Sequence, residues 1–404
     1  TEWNAFTTYE VTCFTVKMAA TSDRINRVFR VYSEMIQRSQ LRSLKIKGFR
    51  NEMDVIVEEL KNAADDPEDR LENAHISALF PKSHPLHNNI IGTVRQLKTY
   101  TQGKVRAFWQ KHYVPSNVVV AVSGGGASAD AAVRKYFSQW SPVAKKTRGI
   151  IPRAPECLLR TLPRQRRTRV HVTRIPQEQT YVCLSYRVPK CTMYDRERIA
   201  QLRMLDALLG GSPNSRLFQE IREKKGLVYS VSSTLREYKD NVFFEIHTLT
   251  EHPLWKKKTT KKTKKTKKTK KTKKTTKKSA TRSLGTIGSV LRLIHALRTT
   301  QKVTTKEIRD VLQSYEGILK IEEEDSMNLA FHYGDAATFE LFDGPNHFIR
   351  SPSQEVEASK KITARQLNAL ARECLVPSHM TLGVASNSLT KQEVVAYVER
   401  FAAS

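Results

Sequence analysis

Two apolar rhythms run along this chain. Short segments fit strands: Thr12-Cys13-Phe14-Thr15-Val16 alternates with period two, and Tyr181 to Val188 and Val242-Phe243-Phe244-Glu245-Ile246 are apolar runs of strand length. Other stretches space apolar residues three and four apart. Ile25, Val28, Phe29, Tyr32, Met35 and Ile36 share one face of a helix that Ser22 can cap, and Ile287, Val290, Leu291, Leu293 and Ile294 share a face of another. Each helix follows a strand. An echo strengthens the pattern: YVPSNVVVAVSG, from Tyr113 to Gly124, matches LVPSHMTLGVAS, from Leu375 to Ser386. Each follows a helix-like segment and precedes another, Asp130 to Trp140 and Thr390 to Ala402. Repeated strand-then-helix order predicts an α+β chain of two homologous domains, each a mixed sheet covered by helices. An Arg- and Pro-rich stretch reads as the linker, dividing the chain into 1–141, a basic linker at 142–169, and 170–404.

Charge changes this picture in one place. The formal net charge is +29, and the Lys/Thr run from Lys256 to Lys278 holds 15 lysines, about half of it. Such a run cannot bury enough apolar surface to fold, so a solvated loop inserted between strand and helix is expected. Its charge can bind nucleic acid or an anionic membrane only without sequence preference. The remaining basic excess lies partly in Lys145 to Arg174 and suggests an acidic partner. Cys13, Cys157, Cys183, Cys191 and Cys374 are odd in number and show no C-x-x-C spacing, which argues against a disulfide framework and a cysteine zinc site. No apolar run reaches the roughly 20 residues of a membrane span.

The sharpest local anomaly is NEMDVIVEELKNAADDPED, Asn51 to Asp69, read as one helix. Glu52 and Glu59 are seven apart and fall within roughly 20° of each other, flanked by Met53, Val55, Ile56 and Leu60. Glu58, Asp54 and Lys61 point away. Two carboxylates on an apolar stripe are costly unless ion-paired or bound to metal, and both alternatives stand. His84-Pro85-Leu86-His87 offers two imidazoles in a loop, and Ser123-Gly124-Gly125-Gly126 lacks the Gly-Lys-Ser/Thr ending of a phosphate loop and reads as a tight turn.

The longest informative block is GGSPNSRLFQEIREKKGLVYSV, Gly210 to Val231. Asn214 or Ser215 can cap a helix from Arg216 to Lys225, Gly226 stops it, and a strand from Leu227 to Ser233 follows. Arg222 and Tyr229 therefore flank one helix-to-strand corner. On the residues alone they read first as a solvated helix charge and a half-buried strand aromatic.

This block resembles the second domain of the pitrilysin/insulinase family of zinc metallopeptidases, which includes mitochondrial processing peptidase. The resemblance covers nearly the whole chain and implies the LuxS/processing-peptidase type of fold. It implies a zinc cofactor and peptide or unfolded-segment substrates. In the family, the residues matching Arg222 and Tyr229 grip the peptide backbone. The family pattern E-x-x-V-I/V-x-x-E maps onto Glu52, Val55, Ile56 and Glu59, which makes Glu59 the zinc ligand and Glu52 the carboxylate supporting the histidine ligands. Thr1 to Thr7 matches a Gly-Gly-x-x-Asn-Ala-Phe-Thr segment, so Asn4 and Ala5 are expected on an edge strand that accepts a peptide.

None of the eleven histidines lies in the H-x-x-E-H motif that supplies the other two ligands and the base. The resemblance places that motif just before Thr1, so the chain is expected to begin after the catalytic helix and to be inactive alone. It also implies a homodimer or a paired second half. Rival readings are a non-catalytic peptide-binding subunit and, on charge alone, a basic nucleic-acid-binding protein. A cytoplasmic or mitochondrial-matrix location is expected ahead of secretion.

Overall fold

The computed structural model describes residues 1–38, 46–140, 162, 165–250, 268–343 and 351–402. Strands β1 (Glu2–Thr7) and β2 (Thr12–Lys17) lead into helices α1 (Ser22–Gln37), α2 (Ile46–Asp65), α3 (Pro67–Leu79), α4 (Val94–Leu97), α5 (Gln102–His112) and α6 (Gly126–Phe137). Strands β3 (Arg169–Arg174) and β4 (Tyr181–Arg187), helix α7 (Arg196–Leu209), a π-helical segment (Phe218–Lys224), and strands β5 (Val228–Glu237) and β6 (Val242–Thr250) come next. Helices α8 (Lys268–Thr299), α9 (Thr305–Glu324), α10 (Ser326–Asp343), α11 (Pro352–Lys360) and α12 (Ala364–Cys374), strand β7 (Met380–Ser386) and helix α13 (Lys391–Ala402) complete the order. The mixed helix-and-sheet class is the one expected from the sequence.

The chain forms two compact units from interleaved stretches. One comprises Thr1–Lys61, Ile90–Arg160 and Gly317–Gln354, the other Asn62–Asn89, Thr161–Glu316 and Glu355–Ser404. These units do not follow the continuous division at 142–169, most of which lies outside the described residues.

In the first unit β1 and β2 form an antiparallel hairpin, Glu2 opposite Lys17 and Thr7 opposite Thr12. Helix α1 packs on α6 through Ile25, Phe29 and Ala132, with Phe29 edge-on to Phe137 at 6.4 Å. Thr21, rather than Ser22, stands at the N-cap of α1 and makes no side-chain cap bond. Gly125 caps α6 at φ 77°, and a Cβ there would come within 2.9 Å of the Ala129 Cβ and 3.2 Å of Ile25 Cδ1. The glycine run is thus the expected tight turn, and it lets α6 approach α1.

In the second unit five strands lie in the order β3-β7-β4-β6-β5, with β3 and β7 parallel and the other neighbours antiparallel. Period two assigns the faces. Val182, Leu184 and Tyr186 of β4 and Phe244 and Ile246 of β6 join α7, α8 and α12 in one large core. Cys183, Ser185, Phe243 and Glu245 point to the opposite face, which α3 covers. A sheet buried on both faces explains why these strands read as nearly continuous apolar runs.

Three expectations change. The helix read from Asn51 to Asp69 is two helices: α2 ends at Asp65, and Asp66 caps α3 by accepting from Glu68 and Asp69 N–H at 2.8 and 3.0 Å, with Pro67 in the first turn. Of the two echoed segments, Met380–Ser386 is a strand paired on both sides, while 118–123 forms no strand among the described residues. Of the lysine run, 256–267 lies outside the described residues, and 268–278 opens helix α8 instead of forming a loop. Cys157 also lies outside them; Cys13, Cys183, Cys191 and Cys374 are free thiols.

Asp206, in the last turn of α7, is largely buried, and its Oδ1 has no hydrogen-bond partner among the described residues. Burial pushes its carboxyl up to about 6. The unfolded chain loses that proton near its ordinary value of 3.8, so stability present below that value drains away as pH rises through about 6. At roughly 1.4 kcal/mol per unit, the loss totals about 3 kcal/mol. Asp206→Asn should therefore raise the unfolding free energy by about 2–3 kcal/mol at neutral pH and by little near pH 4. Denaturant melts at both pH values check this, and a gain confined to acid would contradict it.

Candidate functional site

The Gly210–Val231 block forms one corner of the second unit. Gly210 sits against the backbone N and side chain of Ser233, where a Cβ has no room. Arg216 anchors the segment by a paired guanidinium–carboxylate contact with Glu307, 2.8 and 2.9 Å, and by bonds to the Gln301 and Lys302 carbonyls. The chain then winds as a π-helix, not the α-helix expected, and neither Asn214 nor Ser215 caps it by a side-chain bond. Gly226 stops it at φ 54°. Its N–H donates to the Arg222 carbonyl at 3.0 Å, and the Leu227 N–H donates to Ile221 at 3.1 Å. The Arg282 guanidinium donates to the Gly226 carbonyl at 2.7 Å and pins the turn.

Ile221 and Val228 point inward. Arg222 is exposed, its guanidinium 4.7 Å over the Phe218 ring. Tyr229 is the inserted residue of a β-bulge: Val228 pairs with Thr250 and Ser230 with Leu249, which leaves Tyr229 opposite nothing and 65% exposed. The two residues singled out in the sequence thus stand in solvent on either side of the Gly226 turn.

The other residues singled out lie in the first unit. Asn4 and Ala5 are exposed on β1, whose second edge has no partner strand among the described residues. Trp3 is 79% exposed beside them. Around the two glutamates of α2 the half-buried positions are Met53, Ile56, Val57 and Leu60. Glu52 and Glu59 are exposed, together with Val55 at 53%, so they do not lie within a buried stripe as the helix phase suggested. Glu58 pairs with Lys61 at 2.6 Å, whereas Glu59 makes no ion pair among the described residues. The imidazoles of His84 and His87 are committed elsewhere: His84 accepts from Leu86 N–H and faces Asp240 at 3.4 Å, and His87 bonds the Phe80 carbonyl at 2.9 Å.

Sequence reasoning missed a polar cluster between α3 and the sheet. The Ser185 hydroxyl donates to Glu245 Oε1 at 2.6 Å, so it must accept from His75 Nε2–H, also at 2.6 Å. His75 Nδ1 is then an acceptor and takes the His171 Nε2–H at 2.9 Å. That leaves His171 Nδ1 bare, a buried nitrogen without a partner among the described residues. Glu245 Oε2 accepts from Arg236 Nε at 2.8 Å, and Arg236 reaches Glu72 at 2.6 Å. Gly383 makes the His75–His171 bond possible, since a Cβ there would stand 2.6 Å from both ring nitrogens.

Burial holds His75 down to about 3 and His171 down to about 4, so both rings are neutral. Burial would raise Glu245, but the hydrogen bond from His247 and the Arg236 charge hold it down to about 2. Burial, then the Glu245 and Glu72 charges, push the Cys183 thiol well up. The available signal was a polar residue inside each apolar strand: His171 in Val-His-Val, Ser185 in Leu-Ser-Tyr and Glu245 in Phe-Glu-Ile.

A family model described as the Peptidase M16 inactive domain matches residues 99–279. The uncharacterized zinc protease YmxG of Bacillus subtilis is 32% identical over 245 residues, 60% of this chain and 55% of that protein. The chain spans about half the length of such relatives. A protease from Helicobacter pylori superposes with a TM-score of 0.74 at 18% identity, covering 95% of this chain and 81% of that one. The first half of the periplasmic protease PqqL from Escherichia coli gives a TM-score of 0.66 at 16% identity, over all of this chain and 80% of that one. These structural likenesses show the fold.

The two sets of residues should respond oppositely to mutation. Glu245→Gln leaves Arg236 underpaired in a buried site and should cost about 3–5 kcal/mol in denaturant unfolding. Arg222→Ala and Tyr229→Phe should each stay within about 0.5 kcal/mol of the parent.

Proposed function

Because the chain belongs to the pitrilysin-type M16 peptidase family, we propose that it is the peptide-gripping part of a zinc-dependent endopeptidase acting on peptides or unfolded segments. The observation carrying this reading is the Gly226 corner, where a guanidinium without an ion-pair partner among the described residues and a bulge-exposed phenol flank one turn. Both donate hydrogen bonds and neither needs a particular substrate side chain, so both suit backbone carbonyls. The Tyr229 hydroxyl can also stabilise an oxyanion as it forms. The open edge of β1 at Asn4 and Ala5 suits an added peptide strand.

The family's zinc fits this chain only in part. Glu59 offers an exposed carboxylate free of the ion pair that engages Glu58, with Glu52 two turns away to support histidine ligands. No H-x-x-E-H occurs in the 404 residues. The remaining ligands and the base must come from outside them, whether from further polypeptide or a paired second half. These residues bind and orient a peptide; the water-activating step belongs to groups the chain does not hold.

A second reading, a non-catalytic peptide-binding subunit, is favoured by the missing motif and by the match to the inactive domain of the family. Both readings predict binding without turnover by this chain. Anisotropy with a labelled unstructured peptide should give saturable binding that Arg222→Ala and Tyr229→Phe each weaken about five- to tenfold, or about 1–1.4 kcal/mol. Unchanged binding would sink the corner as the site. Chelator-sensitive hydrolysis by the chain alone would overturn the division of labour. In a form carrying H-x-x-E-H, Glu59→Gln should remove most activity and Glu58→Gln little, and equal losses would refute the choice of Glu59.

A further inference from the structure

We propose that His75, Cys183 and Glu245 form a separate, structural site for a zinc-like divalent cation, fastening α3 to the sheet of the second unit. The three donors, imidazole, thiol and carboxylate, lie within 4.8 Å of one another and have at most 1% of their surface exposed. Tetrahedral zinc with bonds of about 2.0–2.3 Å holds its donors roughly 3.3–3.8 Å apart, so the set needs to close by about one ångström. Sulfur and imidazole donors select zinc or cobalt over magnesium or calcium.

Two of the three donors are already held from behind, as metal ligands are. His171 bonds the far nitrogen of His75 at 2.9 Å, and Arg236 bonds the far oxygen of Glu245 at 2.8 Å. The Ser185 hydroxyl marks the centre, 2.6 Å from His75 Nε2, 2.6 Å from Glu245 Oε1 and 3.9 Å from Cys183 Sγ. Turning that hydroxyl to another staggered rotamer clears the position.

Charge and protons balance. Glu72, Glu245 and Arg236 leave one negative charge in the cluster, and a Cys183 thiolate makes two, matching a divalent ion. His247, whose Nε2 lies 3.4 Å from Glu245, and the Lys391 ammonium, whose charge reaches His171, are the other titratable groups that face the cluster. On binding, the thiol releases its proton to solvent. His75 exposes Nε2 to the metal and carries its proton on Nδ1, which donates to His171 Nε2. The His171 proton moves to its own Nδ1, which bonds nothing among the described residues. Three protein donors leave the fourth tetrahedral position to a water molecule, and because all three are buried away from solvent the ion's effect is on stability rather than catalysis.

Titrating the purified, chelator-treated chain with cobalt(II) should produce a sulfur-to-cobalt charge-transfer band in the near ultraviolet at one equivalent. Zinc should abolish the band and raise the unfolding midpoint by several degrees. Cys183→Ser and His75→Gln should each lose the band, while Glu59→Gln keeps it and so separates this site from the family's zinc. No band in the parent chain, a band surviving Cys183→Ser, or its loss in Glu59→Gln would overturn the proposal. If the core variants do not fold, zinc-edge absorption on the unmodified chain decides: one sulfur among nitrogen and oxygen donors supports the site, and an all-nitrogen-and-oxygen shell refutes it.

Discussion

A carboxylate with no exposed surface sits on the middle strands of the second unit, and much of that unit is arranged to keep it charged. Glu245 is bonded by Ser185 and Arg236, Ser185 is held by His75, and His75 by His171. Each partner comes from a different element: β4, β5, α3 and β3. A buried carboxylate without partners would cost several kcal/mol, so these elements must assemble together or the charge is stranded. The requirement extends to Gly383 on β7, which has to lack a side chain for the two imidazoles to meet. Helix α3 thus joins this sheet by polar pairing as well as by Leu71 packing on Ile175 and Ala385.

This dependence explains what the sequence reveals and what it hides. The strands β4, β6 and β7 are legible because each is an apolar run of strand length, and the inward face of α8 is legible because Ile287, Val290 and Ile294 recur with helical spacing. Glu245 is visible as a charge inside Phe-Phe-Glu-Ile. Its environment is not, because His75 and Ser185 stand 110 residues apart in the chain and meet only when α3 covers the sheet. The echoed segments teach the same lesson from the other side. Val118 has extended dihedrals, yet its segment pairs with nothing among the described residues, while Met380–Ser386 lies between two strands. Pattern specifies a capacity for strand; neighbours decide whether it is used.

The candidate peptide site is legible in type and less so in aim. Gly226 as a helix stop follows from its left-handed backbone, and the pairing of Arg222 with Tyr229 across it follows from spacing. The bulge does not, since strict alternation from Val228 would bury Ser230, whereas Ser230 is exposed and Val231 is buried. On α2 helix phase correctly groups Glu52 with Glu59, but the apolar neighbours mislead. Met53, Ile56, Val57 and Leu60 form the half-buried side, and Val55 stays with the glutamates in solvent. Five apolar residues around a helix can cover more than one face, and the pattern cannot say which one faces the core.

The π-helical segment and the bulge share a property that bears on how this corner can vary over evolutionary time. A π-turn takes in one residue more than an α-turn, and a bulge takes in one more than its partner strand. Arg222 lies within the first, and Tyr229 is the extra residue of the second. A single-codon deletion in either would rotate the residues that follow it by a helical step or a strand flip. The corner is therefore more sensitive to a change of length than an exposed turn would ordinarily be.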